Sequence, residues 1–303
     1  MKILISGATG MVGTALSEEL RGAGHEVTTL SRSKPSSEDT VRWDPSRRSV
    51  DSSRLEGHDA AVHLAGESIV GSNPITERWT PQKKARIMDS RRQGTTFLSE
   101  TLAKLSDKPN VLVSASAVGY YGDRGNELLR EDSGPGSDFL AEVCEVWEAS
   151  ADAAREAGIR VVHPRIGIVL YTQGGALGTT LPIFKMGAGG KVGSGGQFWS
   201  WVALDDLVGA IRHAIENDAV IGPVNVGSPN PMTNAEYTKV LGEVLGRPTL
   251  LPLPASAARI MLGEVADALL LTSARMEPTK LEATNYRFRH PELEGALRHI
   301  LGK

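Results

Sequence analysis

The sequence predicts an α/β protein built on a doubly wound parallel sheet, with a small, mostly helical C-terminal lobe. Three observations carry that expectation. Short apolar runs alternate with segments of helical periodicity from the first residue; glycines spaced three apart separate the first run from the first helical segment; and after Pro164 the alternation loosens and leads to a helical tail. The division expected is a nucleotide-binding domain over residues 1–245, including its loop insertions, and a short C-terminal domain over 246–303.

In chain order, Ile3-Leu4-Ile5 is a short buried strand, and Val12, Leu16 and Leu20 carry the spacing of a helix that Gly22-Ala23-Gly24 ends. Glu26 to Leu30 is the second strand, Thr40 to Trp43 a third and Ala60 to Leu64 a fourth. A long helix covers about Thr80 to Lys104, followed by the strand Asn110 to Ser114, a helix from about Phe139 to Ala157 and the strand Ile159 to His163. Beyond Pro164 the clusters Gly187-Ala188-Gly189-Gly190 and Gly193-Ser194-Gly195-Gly196 predict a mobile loop of the kind that often binds a ligand, and the segment Gly193 to Trp201 either forms one wall of a substrate pocket or packs its aromatic residues on protein. A helix begins near Leu204 with Asp205 or Asp206 as its cap, Gly222 to Gly227 is another strand, and Pro291 suits the start of a last helix ending at Leu301.

Composition excludes several function classes. The chain has 303 residues, 23% of them charged and 40% hydrophobic, with a formal net charge of −3, so it can fold around a large core and shows no basic excess that would draw it to nucleic acid. One cysteine, Cys144, cannot form an internal disulfide and has no metal-ligand spacing around it, so no metal is expected and a reducing, cytoplasmic setting is. The opening apolar run stops at Ser6-Gly7, too short for a signal peptide, and charges interrupt the stretch from Ile260 to Leu271, so no membrane segment is expected.

The chemistry starts at Gly7-Ala8-Thr9-Gly10-Met11-Val12-Gly13, which follows a strand and opens a helix. In that context Gly7 permits the tight turn, Gly10 lets a pyrophosphate approach the backbone, and Gly13 lets helix and strand pack closely, while the helix N-terminus attracts phosphate. This is the dinucleotide site of a Rossmann-type sheet. After the second strand, where an NAD-selective site places an acidic residue on the ribose hydroxyl, the chain reads Ser31-Arg32-Ser33-Lys34. A guanidinium flanked by hydroxyls suits a 2′-phosphate, so the expected cofactor is NADP(H). Trp43-Asp44 follows the third strand, and either contacts the adenine or has a structural role.

These segments, with Asp59 to Gly66, Ser114 to Gly122 and Trp201 to Asp206, resemble the extended short-chain dehydrogenase/reductase superfamily, the NAD(P)-dependent epimerases and dehydratases. The glutamate of Gly66-Glu67, the segment Ser90-Arg91-Arg92-Gln93-Gly94-Thr95, Pro164 to Gly167 and the tail from Leu250 are similar to an atypical subgroup with a C-terminal domain of unknown function. Members of that subgroup are named nucleoside-diphosphate-sugar epimerases, and some are labelled cell-division inhibitors. The resemblance implies that Leu64, Ala65 and Gly66 pass beneath the cofactor, that Ser114, Ala115 and Ser116 lie along its nicotinamide, and that Pro164, Arg165 and Ile166 lie near the carboxamide.

The superfamily's proton shuttle is a tyrosine with a lysine four residues later. The corresponding helix, Asp138 to Glu148, holds neither; Phe139 and Val143 take those places. Ser116, Tyr121 and Glu142 are the replacement candidates, Ser116 and Tyr121 as hydroxyl donors and Glu142 as an acid or base if burial raises its pKa. Each has a plain structural alternative, and so do Glu67 and His63, the latter better suited to packing within its strand. The sequence thus predicts an NADP(H)-dependent oxidoreductase or epimerase-like enzyme acting on a small hydroxyl or carbonyl substrate, a sugar nucleotide among the options. The alternative is a non-catalytic NADP-binding regulator. A monomer or a homodimer fits either.

Overall fold

The computed structural model describes residues 1–33, 37–70 and 78–303; Lys34 lies outside the described residues. In chain order the strands are β1 (Lys2–Ser6), β2 (Glu26–Ser31), β3 (Thr40–Asp44), β4 (Ser49–Val50), β5 (Ala60–His63), β6 (Val111–Ser114), β7 (Ser116–Ala117), β8 (Leu128–Leu129), β9 (Arg160–Ile166), β10 (Ile168–Leu170), β11 (Phe198–Trp199), β12 (Trp201–Ala203), β13 (Gly222–Val226), β14 (Met232–Thr233) and β15 (Arg275–Met276). The α-helices are α1 (Met11–Gly22), α2 (Pro81–Ala103), α3 (Phe139–Ala149), α4 (Asp152–Glu156), α5 (Gly175–Lys185), α6 (Leu204–Glu216), α7 (Asn234–Leu245), α8 (Ala255–Leu262), α9 (Thr279–Ala283) and α10 (Leu293–Leu301).

The main sheet runs β13-β9-β6-β5-β1-β2-β3-β4, with β7 also on β9, and is parallel apart from the β3–β4 pair. Alternation along β1 shows why helices cover both faces. Ile3 and Ile5 point into a cluster with Leu16 and Leu20 of α1 and Leu207 and Ile211 of α6. Leu4 points the other way, to Phe97, Leu98 and Leu102 of α2 and Ala154 of α4. The chain builds β2 and β3 on one side of β1, then crosses to add β5, β6, β9 and β13 on the other. At such a switch point the connections diverge and leave a crevice at the carboxyl ends of the strands.

Several expectations change. The helix over 139–157 is two helices: α3 ends at Ala149, and the Ala154 amide of α4 donates to Ser99 Oγ of α2 (2.8 Å). The strand does not stop before Pro164. It continues to Ile166, and the missing N–H falls at the step where β9 passes from pairing with β6 to pairing with β7. Neither aspartate caps α6; both lie in its first turn, and Asp206, buried, accepts from the amides of Arg289 (2.6 Å) and His290 (2.9 Å). Pro291 stays outside α10 because Ser228 Oγ holds its carbonyl (2.6 Å). The glycine run at 187–196 is a close-packed segment: a Cβ on Gly190 would fall on the Leu251 carbonyl, the Gly193 amide donates to the Leu253 carbonyl (2.9 Å) and the Leu253 amide donates to the Lys191 carbonyl (2.9 Å).

The C-terminal portion is mostly helical, and its apolar faces join clusters of the sheet domain. Leu281 enters the cluster of β1 and α6, while Leu293, Ala296 and Leu297 pack with Tyr237 and Leu241 of α7. β15 pairs with β8. Among the described residues no helix is long and apolar enough to cross a membrane.

Candidate functional site

The crevice beyond β1 and β5 is a groove of about 480 Å³. Gly7, at φ +75°, makes the turn out of β1; a Cβ there would lie 2.8 Å from the Ala65 nitrogen and the Leu64 carbonyl carbon. A Cβ on Gly13, in the first turn of α1, would fall on the Gly7 carbonyl. These two glycines pack turn, strand end and helix into one layer. Gly10 differs: its Cβ would meet only Gly7 O at 3.4 Å, and it stands as the N-cap of α1 with no side chain capping the helix and no acidic residue in the first turn. Met11, Val12 and Gly13 therefore present an N-terminus whose partial positive charge is left for an anion. The geometry suits a pyrophosphate.

The groove brings together Gly7, Thr9 and Gly10 with Leu64, Ala65 and Gly66 along its floor, and Ser31, Arg32 and Ser33 at the end of β2. Arg32 and Ser33 are exposed, and the Ser33 amide is held by Ser31 Oγ (3.2 Å), which shapes a polar lip. Trp43 and Asp44 also border the groove. Trp43 is buried, stacked on Phe97 with centroids 6.3 Å apart and set edge-on to His63, whereas Asp44 turns its carboxylate to Ser46 and the following amides. Glu67, also on the border, pairs with Lys83 (2.9 Å) and Arg86 (3.7 Å); the Lys83 hydrogen bond above all holds its carboxyl below the ordinary range, which unsuits it as a proton donor.

The strand-end residues separate into two groups. Ile166 faces the second cavity described below, while Ser114, Ala115 and Pro164 are buried behind it, with Ser114 Oγ lacking a partner among the described residues. Arg165 is committed elsewhere. Its guanidinium is bidentate to Glu148 (2.9 and 3.0 Å), donates to Tyr121 Oη (3.0 Å) and the Glu131 carbonyl (3.2 Å), and lies over the Tyr120 ring. Burial would lower its pKa, but the Glu148 carboxylate raises it above the ordinary value, so the charge is permanent and internally matched. Four of its five N–H donors are thus taken within the protein.

The same network takes two of the three catalytic candidates. Ser116 Oγ donates to Glu148 (2.7 Å), and Tyr121, fully buried, holds its single hydroxyl hydrogen between two acceptors, Asn225 Oδ1 (2.6 Å) and the Arg130 carbonyl (3.0 Å). Burial pushes the Tyr121 phenol up to about 12, against the pull of Arg165 and Asn225. Both hydroxyls are buried and hydrogen-bonded within the protein. Glu142 is exposed on α3 and borders neither cavity. The structure separates it from the site because α3 turns Leu140, Val143, Cys144 and Trp147 inward, a spacing of i, i+3, i+4, i+7 that leaves position 142 on the outer face.

Those four side chains form one wall of a cavity of about 240 Å³ beside the groove. Ile166 and Ile168 form a second wall, Phe198 and Trp199 a third, and Ala268, Leu269 and Thr272 of the C-terminal portion cover it. Phe198 and Trp199 thus stand where the aromatic segment was expected. Cys144 is buried there; burial, with Glu148 adding, pushes its thiol up to about 12, the opposite of an activated nucleophile. No tyrosine or lysine occurs on α3. Among the described residues two charged side chains reach this cavity: Asp138, the N-cap of α3, and Arg91 of α2. The sequence marked Arg91 only as part of the segment Ser90 to Thr95 that is similar to the atypical subgroup and gave it no role, because that role depends on where α2 crosses the end of β5.

Apart from both cavities, Asp205, His290 and His299 bring their ligand atoms within 4.8 Å of one another. Spacing along the sequence gave no sign of this set, because α6 and α10 meet only in the fold.

With this geometry in view, comparison with known proteins is direct. The NAD dependent epimerase/dehydratase family matches residues 3–227, and a domain of unknown function, DUF1731, matches residues 253–300. The chain is 38% identical over 295 residues to an epimerase family protein of Mycobacterium bovis, covering 97% of this chain and 96% of that one. It is 37% identical over 302 residues to the epimerase family protein SDR39U1 of Homo sapiens, covering 99% of this chain and 100% of the human one. The crystal structure of human SDR39U1 (isoform 2) with NADPH superposes at a TM-score of 0.90, with 35% identity and full coverage of both chains.

Proposed function

Because this chain belongs to the NAD dependent epimerase/dehydratase family, we propose that it is an NADP(H)-dependent oxidoreductase that moves hydride between the dinucleotide and a small hydroxyl or carbonyl compound. The observation that carries the reading is the junction of two unlike spaces: a backbone-built groove ending at an uncapped helix, and beside it a cavity walled by apolar side chains. The first suits a pyrophosphate and the second a reacting carbon kept from water. NADPH in the human relative supports the choice of dinucleotide. Arg32, on the groove's lip with Ser31 and Ser33, takes the 2′-phosphate.

When bound, the dinucleotide supplies or accepts the hydride. The chain's residues supply orientation and an apolar wall beside the reacting carbon, and leave the substrate oxygen to solvent. With Ser116 and Tyr121 committed to the Glu148–Arg165 network, the proton on the substrate oxygen exchanges with water. That commitment also motivates a second reading, an NADP-binding regulator that does no chemistry.

Calorimetry with NADPH and NADH, followed by absorbance assays of NADPH consumption over a panel of carbonyl compounds, tests both. The expected result is at least about tenfold tighter NADPH binding, a preference that Arg32→Ala removes by deleting a charge-assisted hydrogen bond of about 1.5–3 kcal/mol. Equal binding of the two dinucleotides by the unaltered protein sinks the NADP assignment. NADPH binding with no turnover over the whole panel favours the regulator.

A further inference from the structure

We propose that the cavity takes a compact, largely apolar oxo acid or the corresponding hydroxy acid, its carboxylate paired with Arg91, and that it does not take a nucleotide sugar. This rests on the reading of the protein as an NADP(H)-dependent oxidoreductase and names the substrate class of that same site.

Arg91 stands where the groove meets the cavity. A Cβ on Gly66, at the groove floor, would lie 3.4 Å from its guanidinium carbon, so the absence of a side chain there makes the arginine's room. Its Nη1 donates to the carbonyls of Glu67 (3.0 Å) and Ile87 (3.1 Å), and its guanidinium carbon lies 4.7 Å from the centre of the Trp147 ring. Two backbone acceptors and an aromatic face fix the plane of the fork. They neutralise none of its charge. Glu67, whose carbonyl it holds, sends its carboxylate to Lys83 and Arg86 instead. Among the described residues the half-buried Arg91 has no ion-pair partner, whereas Arg165, buried near this wall, has a bidentate one. Burial accordingly lowers the Arg91 pKa from its ordinary value. A fixed, partly desolvated guanidinium beside an apolar cavity is a receptor for one carboxylate.

The rest of the cavity says what that carboxylate is attached to. Leu140, Val143, Ile166, Ile168 and Leu269 offer apolar contact and no charge. The other charged side chain, Asp138, lies nine residues before Trp147, roughly 13 Å away along α3 at 1.5 Å per residue. An anionic group is therefore drawn to the Arg91 end and repelled from the other. A volume of about 240 Å³ falls below the range of about 300–1,000 Å³ usual for small-molecule sites. A nucleotide sugar brings a diphosphate of two charges and needs matching cations, but among the described residues this cavity supplies one cation and one carboxylate, which leaves the diphosphate buried without partners.

The step balances simply. In reduction the oxo carbon gains a hydride from the bound dinucleotide, the carbonyl π pair moves to oxygen, and that oxygen takes a proton from a water molecule, which leaves as hydroxide and is neutralised in bulk solvent; the products are a hydroxy acid and the oxidised dinucleotide. Arg91 holds the carboxylate throughout and exchanges no proton.

The test is binding to the NADP⁺-loaded protein, read by tryptophan fluorescence and calorimetry, with pyruvate, ketoisovalerate, ketoisocaproate and phenylpyruvate as probes. Methyl isobutyl ketone serves as the neutral match to ketoisocaproate, and UDP-glucose as the nucleotide sugar. At least one branched or aromatic oxo acid is expected to bind about tenfold or more tighter than the neutral ketone, and UDP-glucose not to displace it. Arg91→Met should abolish the preference for the acid while NADPH affinity stays within about threefold, and Arg91→Lys should restore part of it. If Arg91→Met does not fold, the acid-versus-ketone contrast in the unaltered protein decides alone. Displacement by UDP-glucose, no binding of any of the four acids, or an acid preference that survives Arg91→Met overturns the proposal. A parallel loss of NADPH affinity in Arg91→Met also overturns it and assigns Arg91 to the dinucleotide. Failure of the unaltered protein to bind NADPH is a different result, which removes the underlying oxidoreductase reading.

Discussion

The groove and the cavity lie side by side and are made in opposite ways. The phosphate end of the groove is made of backbone: a left-handed turn at Gly7, two positions where a Cβ cannot fit, and the bare N-terminus of α1, all within seven residues of sequence. The cavity is made of side chains from segments as far apart as Arg91 and Thr272. A diphosphate is the same in every dinucleotide, so a site for it can be local and stereotyped. A substrate pocket is particular, and here a buried polar scaffold centred on Glu148 and Arg165 holds its walls.

Four experiments break or sharpen that contrast. The largest effect is expected from Glu148→Ala, which strips Arg165 of its one carboxylate partner among the described residues and frees Ser116; removal of one partner of such a buried pair costs about 3–5 kcal/mol. Urea denaturation should show it, and a loss under about 1 kcal/mol would mean that the scaffold does not hold the cavity.

A pH series comes next. Burial, with Arg91 adding, holds the His63 imidazole at about 4, against an ordinary value of ~6.5 in the unfolded chain. Between those values the unfolded state binds a proton that the folded state refuses, so stability rises with pH across the window and is lost as pH falls from about 6.5 to about 4. The loss approaches about 3 kcal/mol from this group, and the similarly lowered His163 acts in the same direction. His63→Gln should flatten the slope in denaturation midpoints; an unchanged slope would place the titration elsewhere.

Gly7→Val tests the backbone side. The positive φ alone costs about 1–3 kcal/mol in a branched residue, and the Cβ meets Ala65 and Leu64 at 2.8 Å. NADPH titration should show binding lost with the fold retained by circular dichroism, whereas normal affinity would detach the dinucleotide from this turn. The smallest effect is expected from Glu142→Gln: an exposed side chain outside both spaces should change stability by less than about 0.5 kcal/mol and any turnover by less than twofold. A larger loss of turnover would restore it to the site.

Much of the first region was legible in the sequence. Gly7, Gly10 and Gly13 stand at fixed offsets from a strand end and a helix start, and the polar lip at Arg32 follows the next strand by simple counting. The catalytic candidates were chosen by residue type, and type does not reveal partners. Tyr121 and Ser116 are hydroxyls near the right strand, yet Asn225, Glu148 and Arg165 claim them from 104, 32 and, for Tyr121 with Arg165, 44 positions away. Glu142 was one residue from an inward position, and on a helix one residue is a different face.

Taken alone, the amino-acid sequence determined the doubly wound sheet, the strand-to-helix turn and the helical character of the tail, because apolar periodicity and glycine offsets act over a few residues. Only the tertiary structure decided that Pro164 sits inside a strand, that the glycine run at 187–196 packs tightly against the tail, that the tail covers the cavity, and that Arg91 rather than Arg165 has charge to offer. Each of those depends on which groups meet across long separations, and charge pairing and close packing are properties of the meeting, not of the residues that take part.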